Sequence, residues 1–60
     1  PYFKRALKEK NLGSNQEIVR NFFNKAVGYD TNEDHYWTEY AFYEESINNR
    51  ELAKKYLKMR

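Results

Sequence analysis

The chain contains no cysteine, which excludes disulfide bonds and thiolate metal ligands as sources of its stability. Its one proline is Pro1 and its only glycines are Gly13 and Gly28, so long stretches lack the residues that interrupt helices. The single histidine, His35, is a poor basis for a transition-metal site. No long apolar run is present, so the sequence predicts neither a signal peptide nor a membrane span.

Length limits the chain to one small domain, residues 1–60. A domain of this size buries only about 60% of the surface that its unfolded chain exposes, so its stability is marginal. Aromatic residues make up 18% of the chain, and their large buried area partly offsets the small size. Because the sequence begins with Pro1 rather than methionine, we interpret it as a segment of a longer protein.

Charge is distributed in three blocks, although the net charge is only +2. Residues 1–28 carry a net charge of +4, residues 29–47 carry −6 and residues 48–60 carry +4. Blocks of one sign are typical of solvated faces, or of neighbouring elements that attract each other. The small basic excess favours these interpretations over a nucleic-acid-binding stripe.

Bulky residues recur three and four positions apart, which is the spacing of one buried stripe on a helix. No segment has the alternating pattern of a strand. Helices are therefore predicted over residues 2–12, 15–27, 33–46 and 49–59. The predicted fold class is all-α, with about four helices forming two stacked antiparallel hairpins. A three-helix bundle with a frayed first helix is the main variant.

Glycines and short polar side chains mark the expected helix ends. Gly13 and Gly28 are expected to end the first and second helices, because glycine readily takes the left-handed conformation that closes a helix. Ser14 and Glu17 match a capping box at the start of the second helix. Further caps are expected at Thr31 or Asn32 for the third helix and at Asn48 for the fourth.

The helical stripes also define the expected core. The aromatic residues of the third helix share one stripe, and this favours a role in the core over a role as a platform for RNA bases. The stripes further include Ile18 and Tyr36, whereas Phe42 lies off the stripe. The principal core residues are predicted to be Phe22, Phe23, Trp37, Tyr40, Tyr43, Ala53, Tyr56 and Leu57.

Two features suggest chemistry, but each has a simpler interpretation. Residues 30–34 begin like a calcium-binding EF-hand loop, yet the required glycine and glutamate are replaced by His35 and Ala41. A capped, acidic helix start explains the same residues. Catalysis by His35 would require a nucleophile or a paired acid, and the nearby acids are expected to be solvated. We therefore predict no catalytic residue, metal site or cofactor, and no enzymatic activity.

An internal repeat becomes visible when the chain is shifted by thirty-four residues over itself. Ser14 then falls on Asn48 and Phe22 falls on Tyr56, and the stripe of the second helix matches that of the fourth without a gap. A period of this length, composed of helix-turn-helix units, is typical of helical arrays. The predicted units are residues about 1–30 and 31–60.

The second unit resembles the half-a-TPR (HAT) repeat. Its first helix reads Trp37-x-x-Tyr40-x-x-Tyr43-Glu44 and its second contains Ala53-Lys54-x-x-Leu57. Residues 19–27 resemble the second helix of a preceding repeat, whereas residues 1–14 match weakly and Thr31 stands where the family often has proline. The resemblance implies an interaction scaffold for splicing, pre-mRNA 3′-end formation or ribosomal RNA maturation, and a nuclear location. It also implies a packing and hydrogen-bonding role for Glu44, for which a surface carboxylate is the alternative interpretation.

The expected partners are proteins of a larger complex, and any contact with RNA is expected to be indirect. Neither a membrane nor a small-molecule substrate is predicted. A small basic helical nucleic-acid-binding domain is the alternative from another class, and a calcium-regulated helix pair is a third. The basic row at the end of the chain could also be a solvated face or pair with the acidic third helix. The predicted partner-binding residues are Lys54, Lys55, Lys58, Arg60 and Phe42.

Overall fold

A computed structural model describes residues 2–60 and shows four α-helices joined by short turns. This confirms the predicted all-α fold. The first helix is fully formed and its Ala6 is completely buried, so the variant with a frayed first helix is wrong. The helices are α1 (Tyr2–Asn11), α2 (Gln16–Tyr29), α3 (Asp34–Ser46) and α4 (Arg50–Met59).

The helices form two antiparallel hairpins. Helix α1 packs mainly on α2 and helix α3 on α4, while a smaller contact between α2 and α3 joins the hairpins. The ring of Tyr2, at the start of α1, stacks on Tyr29, at the end of α2, with ring centroids 5.4 Å apart. At the open end of the second hairpin, Arg60 Nη1 donates to Thr38 Oγ1 over 3.3 Å. Both contacts join the start of one helix to the end of its partner.

Helices α1 and α3 end in the same kind of turn. Gly13 and Asn48 both have left-handed backbones, with φ of 73° and 67°. In each turn the next residue donates its backbone N–H to a carbonyl five positions earlier, from Ser14 to Glu9 and from Asn49 to Glu44. This is the Schellman motif, which satisfies carbonyls that would otherwise lack donors. The prediction for Gly13 is confirmed, whereas Asn48 ends α3 instead of capping α4.

The predicted capping box at Ser14 is wrong by one residue. Asn15 is the N-cap of α2, and its Oδ1 accepts from the backbone N–H of Glu17 over 2.8 Å. The backbone of Ser14 already belongs to the turn that ends α1, so its side chain points back to that helix. Its hydroxyl donates to Glu9 Oε1 over 2.6 Å, and this bond is the main reason that the pKa of Glu9 is lowered.

The second helix also ends later than predicted, because it continues through Gly28 to Tyr29. A glycine is tolerated inside a helix at a cost of about 1 kcal/mol, and the added residue makes the ring contact with Tyr2. The remaining caps differ too. The N-cap residues of α3 and α4 are Glu33 and Asn49, and neither makes a side-chain capping bond. The predicted caps at Thr31 and Asn32 are therefore wrong.

Stacked aromatic rings form the centre of the core. Tyr40 of α3 lies between Phe23 of α2 and Tyr56 of α4, with ring centroids 5.0 Å and 4.2 Å away. Phe3 of α1 stacks on Tyr36 of α3 with centroids 4.0 Å apart. Every helix thus contributes a ring to contacts with α3. The buried core cluster consists of Ala6, Val19, Phe23, Val27, Trp37, Tyr40 and Tyr43.

Several residues of the predicted stripes lie at the edge of the core. Phe22, Tyr36, Tyr56 and Leu57 are only partly buried, while Phe23, Trp37, Tyr40, Tyr43 and Ala53 are buried. Ile18 is 47% exposed, although its position on the stripe predicts burial. Helices α1 and α3 provide most of the surface packed against α2, and this packing leaves Ile18 exposed.

Replacement of Trp37 by alanine should destabilise the fold by about 3–5 kcal/mol, because it removes a buried ring that packs on Tyr40 and Tyr56. The total stability expected for sixty residues is about 3–9 kcal/mol, so the variant should be largely unfolded. Phe42→Ala removes a ring that is 55% exposed and should change stability by less than about 0.5 kcal/mol. Urea unfolding followed by circular dichroism measures both. Equal losses in the two variants would contradict this core.

Candidate interaction surface

The most constrained polar group is the carboxylate of Glu44, which is completely buried. Arg20 of α2 donates from Nε to Oε2 over 3.0 Å, and Asn49 donates from Nδ2 to Oε1 over 3.0 Å. Both carboxylate oxygens therefore have a donor, which is the condition under which a buried charge is tolerated. The first donor comes from the other hairpin and the second from the turn before α4. Glu44 thus has the packing and hydrogen-bonding role that the sequence resemblance implies.

The electrostatics around Glu44 keep its partners in fixed protonation states. Burial has the largest single effect on Arg20 and would lower its pKa. The charges of Glu44 and Tyr40 and the hydrogen bonds to both residues together outweigh burial, so the pKa is raised. Burial is also the main reason that the pKa of Tyr40 is raised, so its phenol stays neutral. That phenol donates to Asn24 Oδ1 over 2.6 Å. The hydrogen bonds among these groups join α2 to α3, so the network stabilises the fold.

An open depression lies beside this network, where α2 meets the rings of α3 and α4. Its floor includes Arg20 and the hydroxyl-bearing rings of Tyr40 and Tyr56. Its rim carries the exposed polar side chains of Glu17, Asn21 and Asn24. The depression is polar and rigidly supported, and it offers hydrogen-bond donors and acceptors to a partner.

The predicted partner-binding residues are exposed on the last two helices and at the residue that follows them. Lys54, Lys55 and Lys58 are exposed on α4, and Phe42 is exposed on α3. Arg60 is also exposed, but its guanidinium bonds to Thr38. None of these residues lines the depression beside Arg20 or the groove between α1 and α2.

A second basic surface, which sequence reasoning missed, lies between α1 and α2. We call it the α1–α2 groove, and it is lined by Tyr2, Lys4, Arg5, Lys8 and Phe22. Three of the five side chains are cations and the other two are aromatic. The basic back of α1 and the two adjacent phenylalanines of α2 were visible in the sequence. Only the packing of α1 on α2 shows that they line one groove.

The acidic segment before α3 forms a turn and the start of the helix. Residues 30–34 are exposed and form the turn and first residue of α3. His35 is also exposed: its Nδ1 lies 3.6 Å from Glu33 Oε2, and its ring meets Phe3 edge to face. Across residues 2–60 no group of three or more His, Cys, Asp or Glu side chains is placed to hold a metal ion.

Comparison with models of known protein families, with curated proteins and with solved structures finds no match to this chain. Among the helices described for residues 2–60, none combines the length and the apolarity required to cross a bilayer. A function for this chain therefore has to be inferred from its residues, their geometry and the resemblance of its sequence to a helical repeat.

The pairing of Arg20 with Glu44 can be tested by a double-mutant cycle. Arg20→Met should cost about 2–3 kcal/mol, because it leaves the buried carboxylate with one donor. This is less than the about 3–5 kcal/mol typical of a fully buried pair, because water screens the partly exposed guanidinium. Adding Glu44→Met should recover most of the loss, since no buried charge then remains. Urea unfolding gives the four stabilities. Additive losses would show that the pair is not coupled.

Proposed function

We propose that the chain is a protein-interaction module from a helical-repeat scaffold of RNA processing, without catalytic activity. The observation that carries the proposal is the buried Glu44, which bonds Arg20 of the first hairpin and Asn49 of the second. A carboxylate held in this way fixes the two hairpins relative to each other. A module of this kind works by presenting exposed side chains on a rigid support.

The matching turns after α1 and α3 support a repeated unit. Gly13 and Asn48, which share the left-handed conformation, are thirty-five residues apart, whereas the N-cap residues Asn15 and Asn49 are thirty-four apart. The second turn is therefore one residue shorter. A shift of thirty-four places Ser14 on Asn48, which is one residue out of register with the turns. When the first helix is instead shifted by thirty-five residues, so that Gly13 aligns with Asn48, Ala6 falls on Ala41 and Glu9 falls on Glu44.

The resemblance to the half-a-TPR repeat supplies the more specific part of the proposal. Trp37, Tyr40 and Tyr43, which carry the resemblance, are buried, and so is Ala53 of the following helix. These buried residues form the core, so a partner would contact the exposed faces of the helices. The role in RNA processing and the nuclear location derive from the resemblance alone. The proposed partners are proteins of a larger complex, with RNA contacted indirectly.

Direct binding of nucleic acid is the competing function, because Lys54, Lys55 and Lys58 are exposed along α4. A binding site for phosphates would lose affinity steeply with salt, as released counterions are the main driving force.

Anisotropy titrations of labelled oligouridine and duplex DNA over a range of salt concentrations separate the two functions. For an interaction module we expect weak binding that Lys54→Ala with Lys55→Ala leaves unchanged. The matched control is Lys4→Ala with Lys8→Ala, which removes equal charge from α1. Tight binding with a steep salt slope that only the α4 variant reduces would overturn the proposal in favour of a nucleic-acid-binding domain.

A further inference from the structure

The first hairpin already binds one acidic, aromatic helix, and that helix is α3. On this side of the hairpin the ring of Phe23 stacks on Tyr40, and Arg20 Nε bonds Glu44 Oε2 over 3.0 Å. Helix α3 lies in the segment of residues 29–47, which carries a net charge of −6. A phenylalanine and an arginine of the first hairpin thus meet aromatic rings and a carboxylate.

The α1–α2 groove presents the same two residue types without a partner helix. In the groove, Phe22 corresponds to Phe23 on the side that contacts α3, and Arg5 corresponds to Arg20. Arg5 Cζ lies 5.4 Å from the centroid of the Phe22 ring. Lys4 and Lys8 add two exposed cations, and no residue of α3 or α4 lines the groove.

The charge of the side chains that line the groove indicates which class of partner it can bind. The only side chains that line the groove are three cations and two aromatic rings, so its lining contains no carboxylate. The nearest acid in sequence is Glu9, which already accepts from Arg5 Nε over 3.1 Å and from the Ser14 hydroxyl over 2.6 Å. The Glu9 carboxylate thus pairs with Arg5, while Lys4 and Lys8 remain exposed. A partner therefore has to bring negative charge.

The aromatic rings argue against stacked bases as the partner. A base needs a free ring face, but one face of Phe22 is covered by the guanidinium of Arg5, and the side chain also packs against the core cluster. The ring of Tyr2 stacks on Tyr29 and also lies 5.5 Å from Lys25 Nζ. The rings therefore offer mainly their edges, which suit packing against apolar or aromatic side chains.

We propose that the α1–α2 groove binds an acidic helical segment of a partner protein that presents aromatic side chains. The aromatic side chains pack against the edges of Phe22 and Tyr2, and the carboxylates meet Lys4, Arg5 and Lys8. This inference rests on the proposed function as an interaction module, and it names the class of partner and the surface.

Fluorescence anisotropy with a synthetic partner tests the groove. The probe is a fluorescein-labelled helical peptide of glutamate and alanine with phenylalanine at every third or fourth position. Serine replaces the phenylalanines in a control peptide of equal charge. The folded chain should bind the probe more tightly than the control peptide. Lys4→Glu with Lys8→Glu should weaken binding of the probe at least about tenfold.

The matched variant is Lys54→Glu with Lys55→Glu, which makes the same change in net charge on α4 and should leave affinity within about twofold. Equal weakening in both variants, or equal affinity for the two peptides, would show nonspecific attraction and overturn the inference. Self-association lost only in the groove variant would overturn it in favour of a second copy of the chain.

Oligouridine is the second probe and separates failure of this inference from failure of the proposed function. Tighter binding of oligouridine than of the peptide, lost in the groove variant, would overturn both. Failure to bind the peptide, with no binding of oligouridine, would overturn only the groove. Circular dichroism spectra that match the unmodified chain establish that each variant is folded.

Discussion

The buried carboxylate of Glu44 is the constraint on which the arrangement of the two hairpins depends. A charge without water must have donors on both oxygens, and the fold supplies them from Arg20 and Asn49. Arg20 reaches Glu44 only when α2 lies beside α3, and Asn49 reaches it only when the turn before α4 is tight. A single side chain thus links the relative position of the hairpins to the shape of a turn.

Apolar burial supplies most of the stability, and aromatic rings form a large part of the buried core. A chain of sixty residues has room for few core side chains, so large rings that contact several helices are efficient. Tyr40 shows the principle: its ring lies between Phe23 and Tyr56, and its hydroxyl bonds Asn24. The polar end of the ring fixes its orientation, while its faces bury apolar surface from α2 and α4.

Helical periodicity was sufficient to predict four helices and the hairpin fold, because one stripe of bulky residues has to face a core. It was less reliable at helix ends. Ser14 and Asn48 have the chemistry of caps, but each backbone belongs to the turn that ends the preceding helix. Sequence patterns do not show which of two adjacent polar residues enters the turn, since tertiary packing decides this.

The surfaces were harder to predict, because a surface combines residues from different helices. The lysines of α4 were identified as a row, and the structure leaves them exposed. The α1–α2 groove combines Lys4, Arg5 and Lys8 with Phe22, which is remote in sequence. The sequence identified the basic back of α1, but only the packing of α1 on α2 shows the aromatic side of the groove.

Native-state hydrogen exchange of the unmodified chain tests most directly whether the two hairpins form one cooperative unit. If Glu44 joins them, the slowest amides of α1–α2 and of α3–α4 should exchange through the same global opening. Their opening free energies should then agree within about 0.5 kcal/mol. One hairpin that opens at a cost more than about 1 kcal/mol below the other would contradict the account. The carboxylate would then be a local feature of two independent hairpins.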